Sequence, residues 1–265
     1  MKHKVCFVLL FAIITFDCNA QFLGSRNQSL ANSSMGQNDL FSSLQNIASL
    51  TETKRAEFGF SGVRPFGIKG LNTSILLCRF PLVGHFFGAK YQQFSFRGMD
   101  YRSFQIAYAL KLSDRISMGV KMHADQVQIL ELHAWTFYPS LGMQIKMNAK
   151  SNLGIVVNKL FINNRVFKWS GFYPDVRVGM SHELSESFSL FFEFQFTFRA
   201  ALNFKAGLEY SIAKKVRLRC GFDLGQFHFG VGLRLGKIRL ALASSYHTHL
   251  GMSPSFSLSN EEGLP

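Results

Sequence analysis

Nine charged side chains recur through the C-terminal half of this chain: Glu193, Arg199, Lys205, Glu209, Arg217, Arg219, Asp223, Arg234 and Arg239, with Lys237 beside them. Carboxylates and cations without an activated nucleophile do electrostatic chemistry. They can pair with one another, hold an anion or a polar ligand, or at a rim touch anionic lipopolysaccharide. Covalent chemistry finds no foothold. The chain carries no G-x-S-x-G, no H-E-x-x-H and no P-loop. His247 and His249 share a strand face at a spacing that metal sites use, but no further ligands are visible. No spacing singles out a Ser–His pair of the kind a membrane lipase needs. The reading is a non-enzymatic protein with no catalytic residue, no metal and no cofactor. The Lys and Arg residues are spread over many segments instead of one recognition element, which argues against a nucleic-acid partner.

The segments that position these charges alternate with period two. In FSLFFEFQFTFRA (188–200), Phe188, Leu190, Phe192, Phe194, Phe196 and Phe198 fall on one face. Ser189, Phe191, Glu193, Gln195, Thr197 and Arg199 fall on the other, which is the signature of a strand and not of a helix. The pattern repeats. Leu202, Phe204, Ala206, Leu208 and Tyr210 oppose Asn203, Lys205, Gly207, Glu209 and Ser211. Val216, Leu218, Cys220 and Phe222 oppose Arg217, Arg219, Gly221 and Asp223. Phe227, Phe229, Val231, Leu233 and Leu235 oppose Gln226, His228, Gly230, Gly232 and Arg234, and Ile238, Leu240 and Leu242 oppose Lys237, Arg239 and Ala241.

About fourteen such segments, mostly of roughly ten residues, follow one another through short polar turns, a length that crosses an outer membrane at a tilt. They are 56–65, 70–80, 83–96, 101–112, 115–128, 134–147, 152–160, 174–184, 187–199, 202–212, 215–224, 226–235, 237–247 and 250–259. A soluble β-sandwich would bury the apolar face, as would a lipocalin-like barrel. A membrane barrel turns that face to lipid and the polar face to the lumen. The uniformly bulky apolar faces favour the last, because a small close-packed core would need small residues opposite large ones and lipid does not. Closure also satisfies every backbone hydrogen bond in the bilayer. The expected fold is therefore an all-β transmembrane antiparallel barrel with a short N-terminal helical plug or extension. Its surroundings are outer-membrane lipid and lipopolysaccharide.

Composition agrees. Aromatics are 14% of the 265 residues, with 29 Phe, while charged residues are only 17%. The net charge of +13 falls by one when Lys2, Lys4 and Asp17 are set aside with a leader. Residues 1–20 read as that leader: Lys2 and Lys4, an apolar run from Val5 to Phe16, and a small-residue exit at Ala20 before Gln21. Thr15-Phe16-Asp17 fits a lipid-attachment signal at Cys18 poorly. Beyond the leader, Cys78 and Cys220 could bond only if distant strands met, and they read as two unpaired thiols on apolar faces. The Asn-x-Ser/Thr matches at Asn27, Asn32 and Asn72 read as chance.

Residues 21–55 differ in character, being small and polar and then amphipathic. Asp39 is placed to cap a short helix with Leu40, Phe41, Leu44 and Ile47 on one side. Such a segment serves either as a plug inside the barrel or as a periplasmic extension. Residues 56–259 form the barrel and 260–265 a tail. Gly24-Ser25-Arg26, Met35-Gly36 and Asn46-Ile47-Ala48-Ser49-Leu50 resemble the opening of PorV/PorQ-type proteins, FadL-like outer-membrane barrels of the Bacteroidetes kind. Tyr246-His247-Thr248-His249-Leu250-Gly251 and Ser253 to Ser259 are similar to that family's closing hairpin, and Gly98 to Tyr108 and Gly207-Leu208-Glu209-Tyr210 fall in step with it. Ile47 stands where the family has Pro, Gln37-Asn38 where it has Gly-Ala, and the tail Asn260 to Pro265 lacks a terminal aromatic. The resemblance implies a fourteen-stranded barrel with an N-terminal plug. It implies a role as an accessory of type IX-like protein secretion or surface attachment, with secretion components or secreted proteins as partners. The FadL branch implies the alternative, passive transport of hydrophobic or small polar molecules, and a purely structural barrel is the third reading.

Overall fold

A computed structural model of the chain describes residues 22–160, 173–197, 202–213 and 215–260. Fourteen antiparallel strands close into a barrel in which each pairs with its sequence neighbours and the last pairs with the first. They are β1 (Glu57–Val63), β2 (Asn72–Leu82), β3 (His85–Phe96), β4 (Met99–Lys111), β5 (Ile116–Ile129), β6 (Leu132–Asn148) and β7 (Ser151–Asn158). The return wall is β8 (Asp175–Glu183), β9 (Phe188–Thr197), β10 (Asn203–Ile212), β11 (Val216–Asp223), β12 (Gln226–Leu235), β13 (Ile238–His247) and β14 (Gly251–Ser259). Every segment expected from the alternation is a strand, with ends displaced by three residues at most. No helix among the described residues is long and apolar enough to span a membrane.

The faces fall as the pattern requires. Along β14, Met252, Pro254, Phe256 and Leu258 point outward, while Ser253, Ser255, Ser257 and Ser259 are buried inside. Outward Ile106 and Phe137 are 67% and 62% exposed, whereas inward Glu193 is 0% exposed. A water-soluble protein would reverse that order, so the outer face is built for lipid. Aromatic pairs bind neighbouring strands along it: Phe188 with Tyr210 at 4.6 Å between ring centroids and Phe194 with Phe204 at 5.1 Å. Cys78 and Cys220 are both free and both on the outer face, on the non-adjacent strands β2 and β11.

Both ends of the barrel wall lie on one rim, whose turns are four residues or shorter. The Val83-Gly84 turn there has positive φ at both residues, which suits the right-handed twist of the hairpin. The longest connection, 159–174, is on the opposite rim. Outer-membrane barrels keep short turns on the periplasmic side and longer loops outside, which orients the terminal rim toward the periplasm.

Fourteen strands enclose more space than their own inward side chains fill. Residues 22–53 occupy that space, buried throughout except for half-buried Arg26, Asn32, Asn38 and Glu52. The segment forms helix α1 (Ser25–Ser29), helix α2 (Leu40–Ser43) and a 3₁₀ turn, Ile47–Glu52. Asp39 caps α2 as expected, accepting hydrogen bonds from the Phe41 and Ser42 amides. Leu40, Phe41, Leu44, Ile47 and Leu50 pack on Val63, Ile75, Leu77, Ala107, Ala109 and Val156 of the wall.

Candidate functional site

The wall admits the plug through a belt of glycines. On nine strands an inward glycine lies so close to the plug that an added Cβ would come within 3.2 Å of a plug atom. They are Gly59, Gly88, Gly119, Gly142, Gly154, Gly179, Gly207, Gly221 and Gly230. Gly154 is the extreme case: its Cβ would stand 1.9 Å from the Met35 carbonyl oxygen. Three cross-strand pairs, Gly119–Gly142, Gly154–Gly179 and Gly207–Gly221, clear the largest areas. Plug residues 24–26, 35–36 and 46–50, singled out in the sequence, meet this belt. The Asn46 side-chain amide donates to the Met35 carbonyl at 2.8 Å, and Ser181 of β8 donates to the Gly36 carbonyl at 2.7 Å.

Charges anchor the plug at the terminal rim. Glu209 is the hub. Its carboxylate accepts from Arg219 Nε at 2.6 Å and from Arg217 Nη1 at 3.3 Å. It also accepts from Arg26 of α1, through Nε at 3.3 Å and Nη2 at 3.4 Å. Strand register alone brings Glu209 opposite Arg219. Arg26 continues to Asp39 at 2.5 Å and to Gln37, closing a bridge from wall to α1 to the cap of α2. Burial works to raise the Asp39 carboxyl, but Arg26, the Ser42 hydroxyl, Arg79 and the Ser42 amide together outweigh it and hold it below the ordinary carboxylate range. Glu193 pairs with Lys205 at 3.1 Å and accepts the Ser34 amide at 2.8 Å. Asp223, toward the opposite rim, lies 3.6 Å from His228.

Beside the Glu209 hub an open cleft enters the terminal rim. Arg26, Lys215, Arg217, Arg219, Arg234 and Arg239 line it, with Asp39 the carboxylate among the lining residues. The described residues of the sequence-derived set thus separate into paired interior charges (Glu193, Lys205, Glu209, Arg217, Arg219), the cleft pair Arg234 and Arg239, and distant Asp223. Lys237, expected on the lumen wall, is instead exposed in the β12–β13 turn, because Gly236 at φ 62° turns the chain there. Arg199, Ala20 and Gln21 lie outside the described residues. The shared strand face of His247 and His249 is also corrected. β13 ends at His247, and the ring Nδ1 of His247 accepts the His249 and Leu250 amides at 3.1 and 3.3 Å, capping the turn.

A second polar cluster, on the β3–β8 wall, was missed in the sequence. Asp125 accepts from Ser103 at 2.6 Å and Tyr138 at 2.7 Å, while His123 stacks on Tyr138 at 4.3 Å. Arg177 pairs with Asp175 at 2.8 Å, and Lys121 donates to the Leu44 carbonyl of the plug at 2.5 Å. Lys121, His123 and Asp125 alternate along one strand just as the β10 and β11 charges do. The signal was present, but attention to the Phe-rich C-terminal half passed over it. Among the described residues no group of three or more His, Cys, Asp or Glu side chains could hold a metal.

No family model and no curated protein matches the sequence. Solved structures do. The monoaromatic hydrocarbon channel CymD superposes with a TM-score of 0.68 at 12% identity, over 89% of this chain and 96% of that one. The toluene transporter TbuX of Ralstonia pickettii gives 0.62 at 11% identity, over 90% and 97%. A Pseudomonas aeruginosa FadL homologue gives 0.61 at 11% identity, over 89% and 97%. At such identities the likeness is one of fold. The protein is an outer-membrane β-barrel with the FadL-like architecture.

Proposed function

We propose that the protein is a non-enzymatic, plug-gated channel that lets small hydrophobic molecules cross the outer membrane, residues 22–53 being the gate. The observation that carries this reading is a lumen filled by the chain's own N-terminal segment, half of which is held by exchangeable polar contacts. The structural neighbours named as hydrocarbon channels support passage over the role of an accessory in type IX-like secretion. That role rests on short plug and hairpin stretches alone. Outer-membrane lipid and lipopolysaccharide are its proposed surroundings, and residues 1–20 its export signal, with Ala20–Gln21 the cleavage point.

Whole-cell uptake tests the channel. Hydrocarbons dissolve in simple vesicles, but a lipopolysaccharide leaflet retards them. Labelled toluene should therefore enter a host lacking its own FadL-type channels faster when this barrel is expressed. Uptake equal to the empty-vector control, with the barrel assembled and heat-modifiable on gels, would remove the reading. Recovery of secretion components with the barrel from native membranes would instead favour the accessory role.

A further inference from the structure

We infer that the cationic cleft at the terminal rim is a binding site for a phosphate-type oxyanion, either free phosphate or the phosphate of a lipid head group. The site stands independently of whether anything crosses the barrel. Three observations converge on it.

The first is register. Arg234 of β12 and Arg239 of β13 are direct cross-strand partners on the inward side of the sheet. Like charges so placed repel, and the sheet carries that cost unless an anion lies between them. The second is an unanswered donor. Arg219 is buried, its Nε is taken by Glu209, and its Nη1 has no hydrogen-bond acceptor. A buried guanidinium donor ordinarily finds a partner, and Arg219 lines the cleft. Its guanidinium can lie there because Gly232 has no side chain; a Cβ would fall 2.6 Å from Nη2 and 2.7 Å from Nη1. The third is imbalance. Six cations surround the cleft, and the carboxylates touching them in the described residues are Asp39 and Glu209, both already engaged by Arg26. Among the described residues Lys215 and Arg234 enter no ion pair.

The ligand chemistry follows. A set rich in guanidinium groups, with fork-shaped donors, matches a phosphate's several oxygens better than it matches a spherical halide. The cleft opens on the rim, so an anion can enter without the plug moving. Ser257 and Ser259 on β14 supply hydroxyls on the same lining.

The test uses the full-length barrel purified in a zwitterionic detergent and titrated calorimetrically with inorganic phosphate at low ionic strength. The same barrel is placed in nanodiscs of phosphatidylglycerol or phosphatidylcholine, and retained lipid is read by native mass spectrometry. Saturable one-to-one phosphate binding identifies a free-anion site. Selective retention of phosphatidylglycerol without phosphate binding identifies a head-group site. Either supports the inference, provided that Lys215→Gln with Arg234→Gln weakens it at least tenfold while Lys69→Gln, on the opposite rim, leaves it unchanged. Where the double variant does not assemble, Arg234→Gln alone is used, at a half-exposed position, with at least a threefold loss expected. An adventitious ion only, meaning no saturation with either probe or equal binding by the variants, overturns it. So does phosphate binding that arises only in Glu261→Gln/Glu262→Gln, which would make the chain's own acidic residues the occupant.

Discussion

The two halves of the plug are held by different physics. Residues 22–38 meet β7–β14 mostly through polar groups. The Ser25 amide donates to Ser257 Oγ at 2.6 Å, the Gln28 side-chain amide to the Ser253 carbonyl at 2.8 Å, and Arg26 to Glu209. Residues 39–53 meet β1–β6 mainly through the apolar cluster of Leu40, Phe41, Leu44, Ile47 and Leu50. A hydrogen bond or ion pair can be exchanged for one to water or to a ligand at little net cost, whereas buried apolar surface has no substitute in water. The contrast assigns the second half as the anchor and the first as the part that yields.

Removing residues 22–53 erases both halves and gives the largest effect: planar-bilayer conductance should rise from near silence to porin-like openings. Unchanged conductance would mean that the wall itself closes the lumen. Next, Glu209→Ala leaves Arg26, Arg217 and Arg219 without their shared carboxylate, a loss of about 3–5 kcal/mol when one partner of a buried ion network is removed. It should loosen the first half, read as faster cleavage of the plug by an added protease. Leu44→Ala, at a fully buried anchor position, should cost about 2–5 kcal/mol in urea unfolding of the lipid-reconstituted barrel. Because Glu209 and Leu44 act on separate halves, the double variant should be additive within about 0.5 kcal/mol. Strong coupling would dissolve the distinction between the halves. Gly154→Ala drives a methyl into the Met35 carbonyl, and overpacking of this kind costs about 1–3 kcal/mol. It should displace Met35 and Asn46 together, read as new labelling of a cysteine placed at Met35.

The smallest effect is acid loosening. The Asp39 carboxyl is held below its ordinary value of 3.8, so its contribution is complete above that pH. It is lost as pH falls through the lower folded value, where the carboxylate protonates and releases Arg26. Protease access to the first half should therefore be flat from neutral pH to about 4 and rise only below it. In Asp39→Asn that low-pH step should disappear.

How far the sequence speaks depends on the range of the interaction. Period-two alternation is local, because successive side chains on a strand point to opposite faces whatever lies across the lumen. FSLFFEFQFTFRA therefore declares its lipid face, its lumen face and the inward Glu193 without any partner in view. The same locality determined the fourteen strands, the inward set Lys205, Glu209, Arg217 and Arg219, the outward thiols and the Asp39 cap. What the tertiary structure alone decided is which of these meet. Arg26 and Glu209 are 183 positions apart, and no local period joins them. The inward glycines looked like weak points in their strands, and only the enclosed plug makes them a belt. The opposed Arg234 and Arg239 and the bared Arg219 donor likewise exist only once register and closure bring the strands together, since pairing across a sheet is a property of two segments and never of one.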